Sequence, residues 1–394
     1  MIDIFEKTLG VLPIPDEFAP VLAQAKEEYA REGVFFLKEE YILRLQQKTN
    51  AYPRLASLLC EQAKELAADA DAALYTLFLY RAMQQRKLFN AHLAHFDFPQ
   101  KAHPLLAFFS FLPYIEELWD FLAQKGIPQD VAVATVQQFE ACVYVFEERF
   151  DYLGMNKRYF DHMQGYVDRK FLNAGRLRYE IIEQHRLFVL ERKKDGKRVL
   201  FLKDADMNAA GLYKGTPPVD DAPGFRAFFR EADGYFEGTP IKENGRCAPT
   251  CARFDKNEWR LILQPGDTCI SVHIPAPGPL TKELCDESYA LARRLFAAHY
   301  PEISPKAFHC HSWMMAPELA EVMRPTSKVL EFQRPYLKYP AHTAGEDVLN
   351  FVFKLKFTSY ADLPEETSLQ RALKARYLAG GYLYEYCGII PFGG

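Results

Sequence analysis

The stretch of sequence that decides the fold reads DTCISVHI over residues 267–274, PAPGPL over 275–280, TKELCDESYALARRLFAAHY over 281–300 and AFHCHSWM over 307–314. The first and fourth segments alternate apolar and polar side chains, a pattern that predicts β-strands. The third segment carries apolar residues at helical spacing, which predicts an α-helix. Strand, helix and strand in this order form a βαβ unit, so we expect the two strands to lie parallel in one sheet.

Three prolines interrupt the chain directly after the first strand. Pro275, Pro277 and Pro279 have no N–H to donate, so the strand must stop there and part from its neighbour. The helix that follows begins after Thr281, whose hydroxyl suits the N-cap position. A helix start presents free N–H groups and partial positive charge, which suit a phosphate. The sequence therefore predicts a crevice between two parting strands, with an anion-binding helix start beside it.

The chain changes character near residue 168, and we expect a helical N-terminal domain over residues 1–168 and a second domain over 169–394. The predicted helices of the first domain are Glu17–Arg31, Lys38–Thr49, Pro53–Ala68, Ala70–Asn90 and Gln129–Phe150. The second domain mixes strands with helices, so the expected fold class is α+β, with a mixed β-sheet and flanking helices. Outside the βαβ unit, the pattern predicts helices at Gly224–Ala232 and Ser368–Leu378, and strands at Lys328–Gln333 and Val348–Phe357.

Composition argues against several classes of protein. The net charge is −4, and no basic block marks a nucleic-acid-binding surface. No apolar run reaches the ~20 residues that a membrane span needs, and residues 1–13 lack the pattern of a signal peptide. The eight cysteines are scattered without a CxxC pair, as is usual for free thiols in a reducing cytoplasm. We therefore expect a cytoplasmic protein with no nucleic-acid or membrane partner.

A series of short motifs carries a family resemblance. They are Trp259 with QPGD (264–267), VHIP (272–275), DES (286–288), FHCHSW (308–313), EFQ (331–333), LP (363–364) and TSLQRAL (367–373). Together they resemble the bacterial acyltransferase domain-containing family, in which a helical N-acyltransferase N-terminal domain precedes a GNAT-like C-terminal domain. GNAT enzymes, the acetyl-CoA-dependent N-acyltransferases, hold coenzyme A in a mixed sheet that splays between its fourth and fifth strands. The resemblance covers most of the chain and is strongest from residue 259 onward.

The resemblance implies an N-acyltransferase that moves an acyl group from acetyl-CoA or another acyl-CoA directly to an amine of a small molecule or peptide. It implies neither a covalent enzyme intermediate nor a metal. The loop PAPGPLT (275–281) stands where typical GNAT enzymes carry Gln/Arg-x-x-Gly-x-Gly/Ala for the pyrophosphate. The residues expected at the cofactor are Ile274, Ala276, Gly278, Leu280, Thr281 and Ser312. Among them, Gly278, Leu280 and Thr281 are best able to donate N–H groups.

Histidines and tyrosines near the two strands are the catalytic candidates. An unperturbed imidazole has a pKa near ~6.5, which suits a general base at neutral pH, and His273 ends the first strand. His311, on the neighbouring strand, is expected to orient His273 or to act as an acid. Tyr336 and Tyr339 are candidates for protonating the leaving thiolate.

Other interpretations of these residues stay open. Each histidine is also consistent with a structural role, hydrogen-bonded to neighbouring backbone. His273, His309 and His311 also match the three imidazoles of a zinc hydrolase with an open fourth position. For the domain as a whole, the alternative to an enzyme is a non-catalytic GNAT-like module that binds a metabolite or a protein.

Overall fold

The computed structural model describes residues 1–99, 102–216, 223–275, 278–342, 346–353 and 359–392. Its contacts divide the chain into two compact units, Met1–Ala174 and Gly175–Gly394. Each unit buries apolar side chains of its own. Among the described residues, no helix is both long enough and apolar enough to cross a membrane.

The first unit is helical, as the sequence predicts. Its α-helices are α1 (Glu6–Leu9), α2 (Ala19–Glu32), α3 (Glu39–Thr49), α4 (Ala56–Ala68), α5 (Ala70–Gln84), α6 (Arg86–Ala91), α7 (Leu106–Phe109), α8 (Leu112–Gln124), α9 (Gln129–Val136), α10 (Gln138–Phe150) and α11 (Lys157–Val167). A short strand, β1 (Phe171–Ala174), follows them. The two longest predicted helices are each divided once, at Gln85 between α5 and α6 and at Gln137 between α9 and α10.

The second unit contains both strands and helices, and a long series of strands comes before its first α-helix. Its strands are β2 (Leu177–Glu183), β3 (Leu187–Arg192), β4 (Arg198–Leu202), β5 (Ala205–Met207), β6 (Phe225–Ala227), β7 (Phe229–Glu231), β8 (Tyr235–Gly238), β9 (Pro240–Ile241), β10 (Ala252–Asp255), β11 (Trp259–Leu263), β12 (Thr268–His273), β13 (Ala307–Ser312), β14 (Leu337–Pro340) and β15 (Tyr386–Pro391). Its α-helices are α12 (Lys282–His299), α13 (Leu319–Val322), α14 (Lys328–Gln333), α15 (Glu346–Val348) and α16 (Ser368–Leu378).

Strands of the second unit form a mixed main sheet in the order β2-β12-β13-β15-β14. The pair β12–β13 is parallel, which confirms the βαβ prediction, and the pairs β2–β12, β13–β15 and β14–β15 are antiparallel. A second sheet has the order β11-β3-β4-β9. The α+β fold class with a mixed sheet is therefore confirmed.

The two faces of the main sheet have different neighbours. On one face lies α12, whose Ser288 shares a hydrogen bond of 2.8 Å with the Tyr179 hydroxyl of β2 and accepts the N–H of Leu177. The other face packs on the second sheet, since Cys269 of β12 and Ala307 of β13 share an apolar cluster with buried residues of β3 and β4. The site described below lies where β12 and β13 end between these two layers.

Three predicted elements are wrong. Lys328–Gln333 is the helix α14 rather than a strand, with a Lys328–Glu331 ion pair of 3.1 Å one turn apart, and packing has overridden the β-propensity of its apolar residues. The segment 346–353 forms α15 and a π-helical turn, where a strand over Val348–Phe357 is predicted; residues 354–358 lie outside the described part. Within Gly224–Ala232, the Phe-rich run forms the strands β6 and β7 instead of a helix.

Candidate functional site

The strands β12 and β13 pair over only part of their length. In the described chain they share two ladder positions, Ile270 with Phe308 and Ser271 with His309. Both strands continue beyond this point, but each on its outer neighbour only. The predicted parting of the first strand from its neighbour is therefore confirmed.

The outer pairings keep the two parted strand ends in place. β12 stays paired with β2 as far as His273, which lies opposite Arg178. β13 stays paired with β15 as far as Ser312, which lies opposite Tyr386. Because each end is held on one side only, a gap opens between β12 and β13. We call this opening, between residues 272–273 and 310–312, the strand gap.

A single arginine holds the proline-rich loop at the end of β12. The Arg176 guanidinium donates from Nη1 to the carbonyl of Pro275 (2.8 Å), from Nη2 to that of Gly278 (3.1 Å) and from Nε to that of Pro279 (2.8 Å). Free carbonyl oxygens here would repel a phosphate. The guanidinium forms hydrogen bonds to these oxygens and adds a positive charge. Gly278 has φ +143, a conformation that L side chains rarely adopt. Arg176 therefore holds the described residues Pro275, Gly278 and Pro279 by their carbonyl groups.

The start of α12 follows this loop, as the sequence predicts. Thr281 is the N-cap, and its hydroxyl accepts the N–H of Leu284 at 3.4 Å. The pKa of Glu283 is lowered by hydrogen bonds from its own backbone N–H and from the Thr281 side chain. Lys282 is paired with Asp286. One exposed carboxylate thus stands at a helix start that otherwise suits an anion.

The other predicted cofactor residues belong to the end of β13 and to the segment between β12 and α12. Ile274 and Leu280 are half-buried, and Gly278 is exposed. Ser312 ends β13, and its hydroxyl accepts the N–H of Met314 at 3.1 Å. Ala276 lies outside the described residues.

The three histidines of the two strands share one face of the sheet. Because Ser271 lies opposite His309, and side chains alternate along a strand, His273, His309 and His311 all point away from α12. Each ring nitrogen Nε2 has a side-chain partner: Glu180 Oε2 at 3.1 Å for His273, the Tyr339 hydroxyl at 2.9 Å for His309, and Glu385 Oε2 at 3.3 Å for His311. Two of these are imidazole–carboxylate pairs, and the third is an imidazole–phenol pair.

Sequence reasoning missed both carboxylates. Glu180 lies on β2 directly opposite Ser271, so it shares the histidine face. Glu385 is buried, 4% exposed, and also accepts the N–H of Asp347 at 3.0 Å. A carboxylate beside an imidazole fixes the orientation of the ring and stabilises its protonated form. Only the pairing register of the strands brings these residues together, and no local pattern encodes it.

The surroundings of His309 favour its neutral form. Burial, together with the nearby His311 and His273, lowers its pKa to about 4. Its partner Tyr339 is 5% exposed, and burial raises the pKa of that phenol well above its ordinary value. The pair is therefore neutral around pH 7.

The three histidines do not form a convergent set of metal ligands. In the described part of the chain, no group of three His, Cys, Asp or Glu side chains is arranged to hold a metal ion. Each Nε2 atom is instead directed to its own protein partner. The zinc-hydrolase interpretation therefore lacks the ligand set that it requires.

Tyr336 lies on the other face of the sheet. It is 4% exposed, and its hydroxyl shares a hydrogen bond of 2.6 Å with that of Tyr289 on α12. Tyr289 in turn packs on Phe308, with ring centroids 4.9 Å apart. The predicted acid Tyr336 and the predicted base His273 are thus on opposite faces, with the strand gap between the layers.

Comparisons with known proteins agree with this architecture. Residues 171–390 match the model of the family described as GNAT-like C-terminal domain. No curated protein matches the sequence. Among solved structures, the chain is similar to an acyltransferase in complex with decanoyl-CoA and teicoplanin, at 18% identity and a TM-score of 0.60 over 99% of both chains.

Two further solved structures show the same fold. A mutant acyltransferase in complex with octanoyl-CoA matches at 18% identity and a TM-score of 0.60, over 99% of this chain and 98% of that one. An acyltransferase in complex with CoA and 10C-teicoplanin matches at the same identity and TM-score over 99% of both chains. With the family model matched from residue 171 to residue 390, the chain belongs to the family of proteins with a GNAT-like C-terminal domain.

Proposed function

We propose that this protein is an acyltransferase that moves an acyl group from acyl-CoA directly to an amine. The observation that carries the proposal is the strand gap, which opens after Ser271 and His309 beside an arginine-held loop and a helix start. The acyltransferases of the same fold, whose complexes contain decanoyl-CoA, octanoyl-CoA or CoA, support the choice of donor.

Coenzyme A would enter from the side of the loop. Its pantetheine arm would lie in the strand gap, between Ile274 and Ser312. Its pyrophosphate would lie at the start of α12, against the N–H groups of Gly278, Leu280 and Thr281. The positive charge of Arg176, which binds the carbonyl of Gly278, would attract the phosphates of CoA. Ala276 belongs to the same proposed site, although it lies outside the described residues.

The acceptor would be an amine of a small molecule or a peptide. A neighbour of the same fold is in complex with teicoplanin, which supports an acceptor of moderate size rather than a polymer. The histidine face offers carboxylates at Glu180 and Glu385 that would favour an ammonium group. An amine must lose a proton to attack, so a base is needed next to it.

His273 is the proposed base. The amine nitrogen adds to the thioester carbonyl carbon, and His273 takes the proton that the nitrogen releases. Glu180 would stabilise the resulting imidazolium. The tetrahedral intermediate then collapses, the carbon–sulfur bond breaks, and an amide and the CoA thiolate leave.

Two residues are proposed to supply the proton that the CoA thiolate takes up. Tyr336, paired with Tyr289, would donate to the CoA thiolate from the α12 side, and it would regain a proton from solvent as the His273 imidazolium releases its own. His311, paired with Glu385, would orient His273 or act as a second acid on the histidine face. The products are an N-acylated acceptor and CoA with its thiol protonated.

No cysteine nucleophile is needed for this reaction. Cys310 lies on β13 next to the strand gap, but it is 1% exposed, and burial raises the pKa of its thiol far above the ordinary value. A thiol that stays protonated is a poor nucleophile. Direct transfer is therefore favoured over an acyl-enzyme intermediate.

Acyl transfer can be tested by incubating the protein with acetyl-, octanoyl- or decanoyl-CoA and a panel of amino sugars, peptides and glycopeptides. We expect release of free CoA that depends on one acceptor class, with an equal amount of amide found by mass spectrometry. Tight acyl-CoA binding with no amide from any acceptor, at a rate no higher than without protein, would instead support the non-catalytic binding module.

A further inference from the structure

A buried nitrogen at the vertex of the strand gap has no role in the reaction described so far. His309 is half of the last ladder pair that β12 and β13 share, so it lies where the two strands begin to part. Its Nε2 is bonded to the Tyr339 hydroxyl, but its Nδ1 is buried and has no hydrogen-bond partner among the described residues. An unpaired buried polar atom destabilises the folded state, so its retention calls for an explanation.

We propose that His309 is a catalytic residue that donates a hydrogen bond from Nδ1–H to the carbonyl oxygen of the bound thioester. This inference rests on the proposed acyl transfer and adds to it the group that stabilises the oxyanion. In the tetrahedral intermediate the carbonyl oxygen carries the negative charge, and the Nδ1–H bond strengthens towards it. When the carbon–sulfur bond breaks, the carbonyl re-forms and His309 keeps its proton throughout.

Tyr339 sets the tautomer that this role requires. A neutral imidazole carries one proton, and a phenol is a good donor to an imidazole nitrogen. In the proposed arrangement the Tyr339 hydroxyl, held protonated by burial, donates to Nε2, and the proton of the ring lies on Nδ1. Cys387 lies against the same hydroxyl and keeps its own proton, since burial raises the pKa of its thiol to about 12. Its S–H can therefore donate to the phenol oxygen.

The neutrality of His309 fits a donor rather than a base. With a pKa of about 4, it does not take up a proton from the attacking amine near pH 7. When His273 becomes protonated during the reaction, its added charge keeps His309 neutral still more strongly. A neutral imidazole is able to polarise a carbonyl group in this way. The two neighbouring histidines thus have separate tasks, one as base and one as donor.

The tautomer can be measured in the unliganded wild-type protein by two-bond proton–nitrogen correlation NMR of the histidine rings. We expect the proton of His309 on Nδ1 and a bare Nε2. A proton on Nε2 would overturn the proposal, whatever the activity of the protein. This measurement needs no variant and no acceptor.

The contact with substrate can be measured with decanoyl-CoA labelled with carbon-13 at the thioester carbonyl. We expect the infrared carbonyl stretch to shift to lower frequency on binding to the wild type and to return towards its free value in His309→Ala. An equal shift in both proteins would overturn the proposal. Absence of any bound signal in the wild type would instead show that acyl-CoA binding, and with it the proposed function, has failed.

A matched pair of substitutions separates the donor role from a packing role. His309→Asn places an amide nitrogen near the position of Nδ1, whereas His309→Gln carries its amide nearer to Nε2. Loss of one oxyanion donor typically lowers kcat about 10²- to 10³-fold, and we expect this for His309→Ala and His309→Gln with the Kd of acyl-CoA changed by less than about threefold. His309→Asn should recover at least about tenfold of the lost kcat. Equal losses in Asn and Gln variants would assign His309 a structural role only.

Discussion

At the scale of single residues, the feature that most distinguishes the site is a set of three histidines on one face of the sheet. His273 and His311 have carboxylate partners within 3.3 Å, and His309 has a phenol. We propose that His273 acts as a base and His309 as a neutral donor.

Replacing the proposed base should slow the reaction strongly. We expect His273→Ala to lower kcat by roughly two orders of magnitude, the usual scale of general-base catalysis, with little change in acyl-CoA affinity. His185→Ala is the matched control, since His185 lies 3.4 Å from Glu183 in an exposed imidazole–carboxylate pair. Steady-state kinetics would test this, and an unchanged kcat in His273→Ala would remove that residue from the mechanism.

The depressed pKa of His309 also predicts how stability depends on pH. Its value is about 4 in the folded state, against an ordinary value of 6.5. Between these values the unfolded chain binds a proton that the folded chain does not, so stability falls as the pH falls through this window. The loss amounts to about 3 kcal/mol at pH 4, at 1.36 kcal/mol for each unit of pKa shift.

Denaturant unfolding of the wild type and His309→Gln at pH 7.5 and pH 5 would measure this dependence. The wild type should lose more stability on acidification than the variant. Equal losses in the two proteins would show that His309 titrates normally when folded.

These residues show which parts of the site can be predicted from the sequence. Alternation along β13 predicts that His309 and His311 share a face, and the pairing register of β12 with β13 brings His273 to the same face. Glu180, Glu385 and the Arg176 clamp could not be predicted, because they reach the site through strand pairing and loop contacts between distant parts of the chain. Local patterns specify which face a side chain takes but not which strand lies beside it.

At the scale of elements, the loop and helix start are the parts that would recognise coenzyme A. Three prolines end β12, one arginine fixes the loop carbonyls, and Thr281 caps the helix. The sequence predicts the strand break, the N-cap and the extent of α12 because each depends on local chemistry. It fails at α14, where apolar residues with strand-like propensity are helical because of what they pack on.

The loop clamp makes a prediction about affinity. The planar guanidinium of Arg176 binds three carbonyl groups at once. A lysine ammonium is a compact charge that cannot reproduce this arrangement. We expect Arg176→Lys to raise the Kd of CoA by roughly tenfold, because a looser loop must be ordered on binding. Arg294→Lys, at an exposed position of α12, is the control. Calorimetry showing the same Kd for both variants would contradict a role of the clamp in binding.

The exposed carboxylate at the helix start predicts an effect in the opposite direction. Glu283→Gln removes a negative charge from the place proposed for the pyrophosphate, so CoA should bind more tightly, by roughly two- to fivefold at low salt. Glu287→Gln, one turn further along α12, should have a smaller effect. The gain should shrink at high ionic strength because exposed charges are screened. Weaker binding in Glu283→Gln would place the phosphates elsewhere.

At the scale of the whole molecule, the chain joins a helical unit to a GNAT-like one. The sequence predicts a boundary at residues 168 and 169, the contacts group Met1–Ala174 and Gly175–Gly394, and the family model begins at residue 171. These limits differ only in the placement of β1. The helical composition before residue 168 and the mixed pattern after it predict two domains, whereas a single short strand at their boundary carries too little pattern to be assigned to either.

A fragment over residues 169–394 should fold by itself and bind acyl-CoA. The loop, helix start and strand gap all lie within it, and it buries a core of its own. Thermal unfolding followed by circular dichroism should show one cooperative transition that acyl-CoA shifts upward. A fragment over residues 175–394, which lacks β1, tests whether this strand belongs to the second domain. If only the shorter fragment loses the unfolding transition, β1 is part of the second domain. Absence of a transition in both would contradict an independent second domain.

The central claim is that the strand gap holds acyl-CoA, and a crystal structure determined with saturating CoA tests it most directly. We expect the pantetheine arm to lie between β12 and β13, beyond the Ser271–His309 pair. The pyrophosphate should lie within hydrogen-bonding distance of the N–H groups at residues 278–281. CoA bound elsewhere, or a strand gap closed by β12 pairing with β13 to the ends of both strands, would contradict it.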